Sequence, residues 1–182
     1  MVFAPVHLGE FRVLPWFLPG AAISVVTGLA AGGWASRAMG VRRAVAAAMI
    51  VSLGIVLSAT LTPLREALQF GAVGTGSCAF SRMGLASLDE LRTRGDALGN
   101  ILMFIPLGVT IALVPRSRRK AALVAFAIAL PFAIETTQML LPVLDRACES
   151  ADVADNLTGL VLGLAGGSVA GWLASTVYRR RR

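Results

Sequence analysis

The sequence is poor in the side chains from which many soluble enzymes build their active sites. Only 15% of its 182 residues are charged, and it contains a single histidine, His7. It has neither a Gly-x-x-x-x-Gly-Lys phosphate-binding loop nor a Cys-x-x-Cys pair. Because His7 lies near the N-terminus, away from the other polar candidates, neither a histidine triad nor a histidine-rich metal site is predicted.

Apolar residues dominate what is present. Hydrophobic residues make up 56% of the chain and the mean hydropathy is +0.74, whereas about a quarter of the residues in soluble domains are charged. A membrane-spanning helix needs about 20 mostly apolar residues. Five segments meet that requirement, residues 13–35, 44–62, 97–114, 121–141 and 153–176. Residues 1–182 are therefore predicted to form one all-α domain, a polytopic helical bundle within a membrane.

The basic residues predict the orientation of this bundle. Three segments carry cations and no acid: residues 36–43, 115–120 and 179–182. Five crossings put all three on one side of the membrane, which the positive-inside rule makes cytoplasmic. The N-terminus and a long loop at residues 63–96 are then extracytoplasmic, and the C-terminus is cytoplasmic. No nucleic-acid partner is predicted, because the cations lie in short connections beside the bilayer.

Acids and amides gather at the predicted outer ends of three apolar segments. They are Asp96 and Asn100, Glu135 and Gln138, and Asp152, Asp155 and Asn156. Ionisable groups at the edge of hydrocarbon are costly, so they normally face a bundle interior and indicate a functional site. Glu135 is the deepest, roughly 10 Å inside the end of its helix at 1.5 Å per residue. It is either a site residue or a protonated or arginine-paired residue that fixes the bundle.

Glycines in the last segment predict how the helices pack. Gly159, Gly163, Gly167 and Gly171 recur every four residues. Such a ridge of small residues lets a neighbouring backbone approach closely. Asp155 continues the ridge by one turn, so the same packing turns its carboxylate toward the bundle interior.

Arg146 is the only cation between Lys120 and Arg179 in the sequence. Its neighbours include Asp145, Glu149 and Asp152. It could be an ion-pair clamp, or it could present its planar fork to a carboxylate or phosphate of a ligand. A divalent cation is a further alternative, because Asp96, Glu135, Asp152 and Asp155 offer the hard oxygen ligands that suit Mg²⁺ or Ca²⁺. No other cofactor is predicted.

The ordered pattern of these residues resembles the VanZ-like membrane-protein family. It consists of Asp96, the run Asn-Ile-Leu-Met-Phe-Ile-Pro-Leu-Gly from Asn100, the Glu135 and Gln138 pair, Arg146, Asp152, and Asp-Asn-Leu-Thr-Gly from Asp155 followed by Gly163. The resemblance covers about residues 96–171. It implies a multi-pass protein of the bacterial cytoplasmic membrane with a role in the cell envelope. The family's founding member is associated with low-level resistance to the glycopeptide antibiotic teicoplanin.

The two cysteines are candidates for a disulfide. Cys78 lies in the 63–96 loop and Cys148 lies between the last two apolar segments. Both are predicted to be extracytoplasmic, where disulfides can persist. A bond between them would hold the long loop over the polar residues as a lid, and the alternative is two unpaired cysteines.

Three functional hypotheses follow. The first is a protein that binds an amphiphile among the membrane lipids, either a lipid-linked cell-wall intermediate or a lipoglycopeptide. Its head would occupy a site formed by Asp96, Asn100, Glu135, Gln138, Arg146, Asp152, Asp155 and Asn156. The second is a membrane-embedded hydrolase or transferase that uses a carboxylate as general acid or base. The third is an ion-pair network that only specifies the fold, so the sequence alone does not decide whether the protein is an enzyme.

Overall fold

The structure, a computed structural model, describes residues 14–71, 76–93 and 95–180, with side chains as far as residue 176. His7 and the first residue of the predicted 13–35 span lie outside these ranges. The described part contains seven α-helices, with the bounds α1 Phe17–Met39, α2 Arg43–Thr60, α3 Arg65–Phe70, α4 Leu88–Thr93, α5 Gly95–Ala112, α6 Arg118–Leu140 and α7 Ser150–Arg180. Two short strands, β1 Cys78–Ala79 and β2 Cys148–Glu149, pair in parallel.

Five helices in the described ranges are long and apolar enough to cross a membrane. They are α1, α2, α5, α6 and residues 150–176 of α7, which confirms the prediction of an all-α membrane bundle. Their ends differ from the apolar segments by a few residues. Helix α1 continues past residue 35 to Met39 and stops at Gly40, whose φ of 69° is the left-handed conformation that ends many helices. Hydrophobicity marks what the membrane covers, whereas capping decides where a helix stops.

The predicted 63–96 loop contains more regular structure than the sequence indicated. It includes α3, β1, α4 and the first residues of α5. Helix α4 begins with a capping box: the Ser87 Oγ accepts a hydrogen bond from the Glu90 amide at 3.2 Å, and the Ser87 amide donates to Glu90 Oε2 at 2.8 Å. The Ser-x-x-Glu spacing that makes this box is a helix-start signal in the sequence.

The bundle is organised around the contact between α5 and α7. Helix α1 packs on α2, α2 packs on α5, and α6 packs on α7. A Cβ atom added to Gly159 would lie 2.0 Å from the carbonyl oxygen of Ile101, and one added to Gly163 would lie 2.2 Å from that of Ile105. The glycine ridge of α7 therefore faces the backbone of α5, where a side chain would force the two helices apart.

The two ends of the bundle differ in chemistry. At the basic end, Arg119 donates to the carbonyl of Ala38, and Lys120 Nζ donates to the carbonyl of Ala112 at 2.6 Å. We call the opposite end, where α2 and α6 finish and α5 and α7 begin, the polar end. It carries the acids and amides singled out above.

Candidate functional site

Helix α6 contributes two buried polar side chains to the polar end. Glu135 is 5% exposed and Gln138 is 6% exposed. Glu135 Oε2 accepts a hydrogen bond from the amide of Glu149 at 2.8 Å, and Gln138 Nε2 donates to the carbonyl of Thr60 at 2.9 Å. Carbonyls in the last turn of a helix have no partner within that helix. Gln138 therefore joins α6 to the end of α2, and Glu135 joins α6 to β2, directly before α7.

Helix α7 contributes the most deeply buried pair, Asp155 and Asn156, each 1% exposed. Asp155 forms an ion pair with Arg82, whose Nη2 lies 2.7 Å from Asp155 Oδ2. Arg82 also lies 3.3 Å from Glu90 Oε1 through its Nε, and its backbone carbonyl accepts from Ser150 Oγ at 2.8 Å. The hydrogen bond to Asp155 raises the pKa of Arg82. Arg82 is thus the cation that neutralises Asp155.

Sequence reasoning missed Arg82, because it is 73 residues from Asp155 along the chain. One signal could have found it. Arg82 lies only four residues after Cys78, and a bond from Cys78 to Cys148 brings this stretch close to Ser150 at the start of α7.

Asp152 on α7 and Asn100 on α5 lie close to each other. The side-chain amide of Asn100 is near the carboxylate of Asp152. Asp96, Glu149 and Asp155 act on Asp152 as neighbouring negative charges. Asp96 itself is exposed in the first turn of α5, so it lies at the rim of the cluster.

Arg146 takes a different partner from the carboxylates that surround it in the sequence. Its Nη2 donates to the carbonyl of Ala59 at 2.6 Å, and its Nε donates to the carbonyl of Thr62 at 3.2 Å. The charges of Asp152 and Glu135 are near, but burial dominates and lowers the pKa of Arg146. The guanidinium thus completes the end of α2, while its charge partly balances the acids.

A segment that we call the lid, residues 76–93, is fastened over the start of α7 at several points. Cys78 and Cys148 form a disulfide with Cα atoms 4.6 Å apart, and they are opposite each other in the β1–β2 pair. The ion pair from Arg82 to Asp155 is a second attachment, and the hydrogen bond from Ser150 to the Arg82 carbonyl is a third. The lid is therefore bonded both to the loop before α7 and to the buried end of the cluster.

Several buried polar atoms in this cluster have no hydrogen-bond partner within the described ranges. The acceptors are Gln138 Oε1, Asp155 Oδ1 and Asn156 Oδ1, and the one donor is Arg82 Nε, which has the ion pair with Glu90. Buried polar atoms are usually satisfied, so such a group needs an explanation. In the same part of the chain, no three His, Cys, Asp or Glu side chains are grouped so as to hold a metal ion.

These features define a class of protein: a multi-pass membrane protein whose apolar helices enclose a polar cluster at one end. A model of the VanZ/LLP1 family matches residues 45–171, well over half of the chain. The protein belongs to this family. The match confirms the predicted resemblance and extends it upstream from residue 96 through α2. No curated protein and no solved structure matches the chain.

Proposed function

We propose that the protein binds the polar head of an amphiphile at the outer leaflet, and that it contributes in this way to cell-envelope function or to resistance against teicoplanin-type glycopeptides. The ligand would be a lipid-linked cell-wall intermediate or a lipoglycopeptide. The observation that carries the proposal is the set of buried acceptors without partners, on Gln138, Asp155 and Asn156. A network that served only to hold helices together would be expected to pair its buried polar atoms.

The charge distribution supports the outer-leaflet location. The basic end carries cations and no acid in the connections at residues 36–43 and 115–120. The positive-inside rule assigns such an end to the cytoplasm. The polar end then faces the extracytoplasmic leaflet, where lipid-linked cell-wall intermediates and glycopeptides are accessible.

The division of polar and apolar surface suits an amphiphile. Leu102 on α5 and Val161 on α7 are more than half exposed, as expected for side chains that face lipid. A ligand tail could remain in the bilayer beside such surfaces while the head group alone enters beneath the lid. Burial of the tail would then provide affinity, and the polar cluster would provide selectivity for the head.

Replacement of Glu135 by Gln tests this function. The change keeps the shape of the side chain but removes the charge that accepts the Glu149 amide. Glu66, an exposed acid in the first turn of α3, provides the matched control Glu66→Gln. In a teicoplanin-susceptible host, we expect Glu135→Gln to abolish the protection that wild-type and Glu66→Gln proteins give, at equal protein levels. Full protection by Glu135→Gln would contradict the site. Glu135-dependent release of product from a lipid-linked substrate by purified protein would favour the hydrolase or transferase.

A further inference from the structure

The buried cluster offers more hydrogen-bond acceptors than donors. Asp155 Oδ1, Asn156 Oδ1 and Gln138 Oε1 are buried acceptors without a hydrogen bond in the described ranges. All three side chains belong to residues that are more than nine-tenths buried. Arg82 Nε is the one buried donor without a hydrogen bond in these ranges, and it already lies 3.3 Å from a Glu90 oxygen in an ion pair. These acceptors favour a ligand that brings N–H or O–H groups, because a buried acceptor without a hydrogen bond has lost its water and gained nothing in return.

The cluster is also short of positive charge. Asp152 has Asp96, Glu149 and Asp155 as negative neighbours. Arg146 is close, but its guanidinium is occupied by the carbonyls of Ala59, in the last turn of α2, and of Thr62, just after it. An acceptor-rich site with an excess of carboxylates favours a cationic ligand group over an anionic one.

The cation that does reach the buried carboxylate comes from the lid. Asp155 has a side chain only 1% exposed, whereas the side chain of Arg82 is 18% exposed, so the guanidinium reaches inward from the surface. Removing one partner of a buried ion pair is strongly unfavourable, because it leaves a buried charge uncompensated. The least costly way to detach Arg82 is therefore to replace it with another cation.

We propose that the head group recognised by this site carries a primary ammonium, and that this ammonium displaces Arg82 from Asp155 while donating to the unpaired oxygens beside it. The inference rests on the proposed function and specifies its ligand class as amine-bearing amphiphiles. While Arg82 is paired with Asp155, its guanidinium occupies the position that the ammonium of the ligand would take. Exchange of one cation for another keeps Asp155 paired while the side chain of Arg82 is released.

Head-group selectivity of the wild-type protein tests the ligand class without any variant. Short-chain phosphatidylethanolamine, phosphatidylcholine and phosphatidylglycerol are added to the full-length protein in neutral detergent, and bound lipid is counted by native mass spectrometry. We expect phosphatidylethanolamine to bind about tenfold more tightly than the other two, as the loss of one charged hydrogen bond predicts. The quaternary nitrogen of phosphatidylcholine has no N–H, and phosphatidylglycerol has no cation.

Two substitutions test whether Arg82 competes with the ligand for Asp155, because one should raise the affinity for phosphatidylethanolamine and the other should lower it. Arg82→Ala removes the competing cation, so phosphatidylethanolamine should bind about tenfold more tightly. Asp155→Asn removes the carboxylate, so binding should weaken about tenfold. Arg92→Ala removes an exposed cation of α4 in the same lid and should leave affinity unchanged. Weaker binding in Arg82→Ala, with tighter binding in Asp155→Asn, would instead assign the site to an anionic head recognised by Arg82.

The outcomes separate this inference from the function on which it rests. Equal binding of the three lipids, or loss of binding in both variants, would overturn the ammonium inference and leave the amphiphile site intact. Glycerophosphoethanolamine, which has the same amine and no acyl chains, distinguishes the sources of the amine. If it binds as tightly as phosphatidylethanolamine, the ammonium inference stands and the amphiphile function fails. If none of the four compounds binds, both fail.

Discussion

The contact between α5 and α7 gives the sharpest prediction about stability. Gly163 and Gly166 lie three residues apart on α7 and differ in what surrounds them. A Cβ added to Gly163 would lie 2.2 Å from the carbonyl oxygen of Ile105 and 2.9 Å from the Cα of Gly108, whereas one added to Gly166 meets nothing within 4 Å. The substitutions Gly163→Ala and Gly166→Ala therefore add the same methyl group to a tight and to an open position of one helix.

The expected magnitudes follow from these distances. Carbon atoms in contact prefer about 3.5–4.0 Å, so the helices must separate by roughly 1 Å to accept the methyl group at Gly163. Overpacking of this kind costs about 1–3 kcal/mol. At Gly166 the change should be neutral or stabilising by up to about 1 kcal/mol, because alanine is the better helix former. The separation would also move Asn100 on α5 away from Asp152 on α7, so the site should lose function together with stability.

Unfolding in mixed micelles measures both variants. Purified proteins are titrated with sodium dodecyl sulfate, and the loss of helix is followed by far-ultraviolet circular dichroism. Gly163→Ala should unfold at a lower denaturant fraction than wild type, and Gly166→Ala should not. Equal stability of the two variants would refute the close approach of α5 and α7, because a backbone carbonyl of α5 beside Gly163 should make only that position intolerant of a methyl group.

Three further predictions concern the lid, the end of α2 and the orientation. Cys78 and Cys148 should resist alkylation in intact cells until a reductant is added, and a mass shift on a gel without reductant would refute the disulfide. Arg146→Ala should lower the free energy of unfolding by about 2 kcal/mol or more, because it removes charged hydrogen bonds. The control Arg116→Ala, at an exposed position of the α5–α6 loop, should not. Similar losses of stability in the two variants would argue against the contacts of Arg146 with the carbonyls. In a variant in which Cys78 and Cys148 are both replaced by serine, a cysteine introduced at Ser117 should react with membrane-impermeant maleimide only after permeabilisation. Labelling in intact cells would show the opposite topology.

The spans were predictable because hydrophobic length is a strong and local signal. Five runs of suitable length correspond to five helices, even though α1 extends to a left-handed Gly40 that lies beyond its apolar run. The burial of Glu135 and Asp155 also has a local basis, since each is a carboxylate within an apolar helix. Such a residue has few alternatives to facing the interior.

The partners of the polar residues were much harder to predict. Arg146 has acids on both sides in the sequence, yet it binds the carbonyls of Ala59 and Thr62 at and just after the end of α2. The last carbonyls of a helix have no partner within the helix, so they are available as acceptors. Arg82 reaches Asp155 across 73 residues. Contacts of this kind depend on where a loop is fastened, which here is set by the bond from Cys78 to Cys148.

A structure of the protein in a lipid nanodisc that contains phosphatidylethanolamine would show whether an ammonium head group takes the place of Arg82 at Asp155. We expect head-group density beneath the lid, with its nitrogen within hydrogen-bond distance of Asp155 and the guanidinium of Arg82 turned away. Density for lipid only along the apolar faces of the helices, with Arg82 still bonded to Asp155, would contradict it.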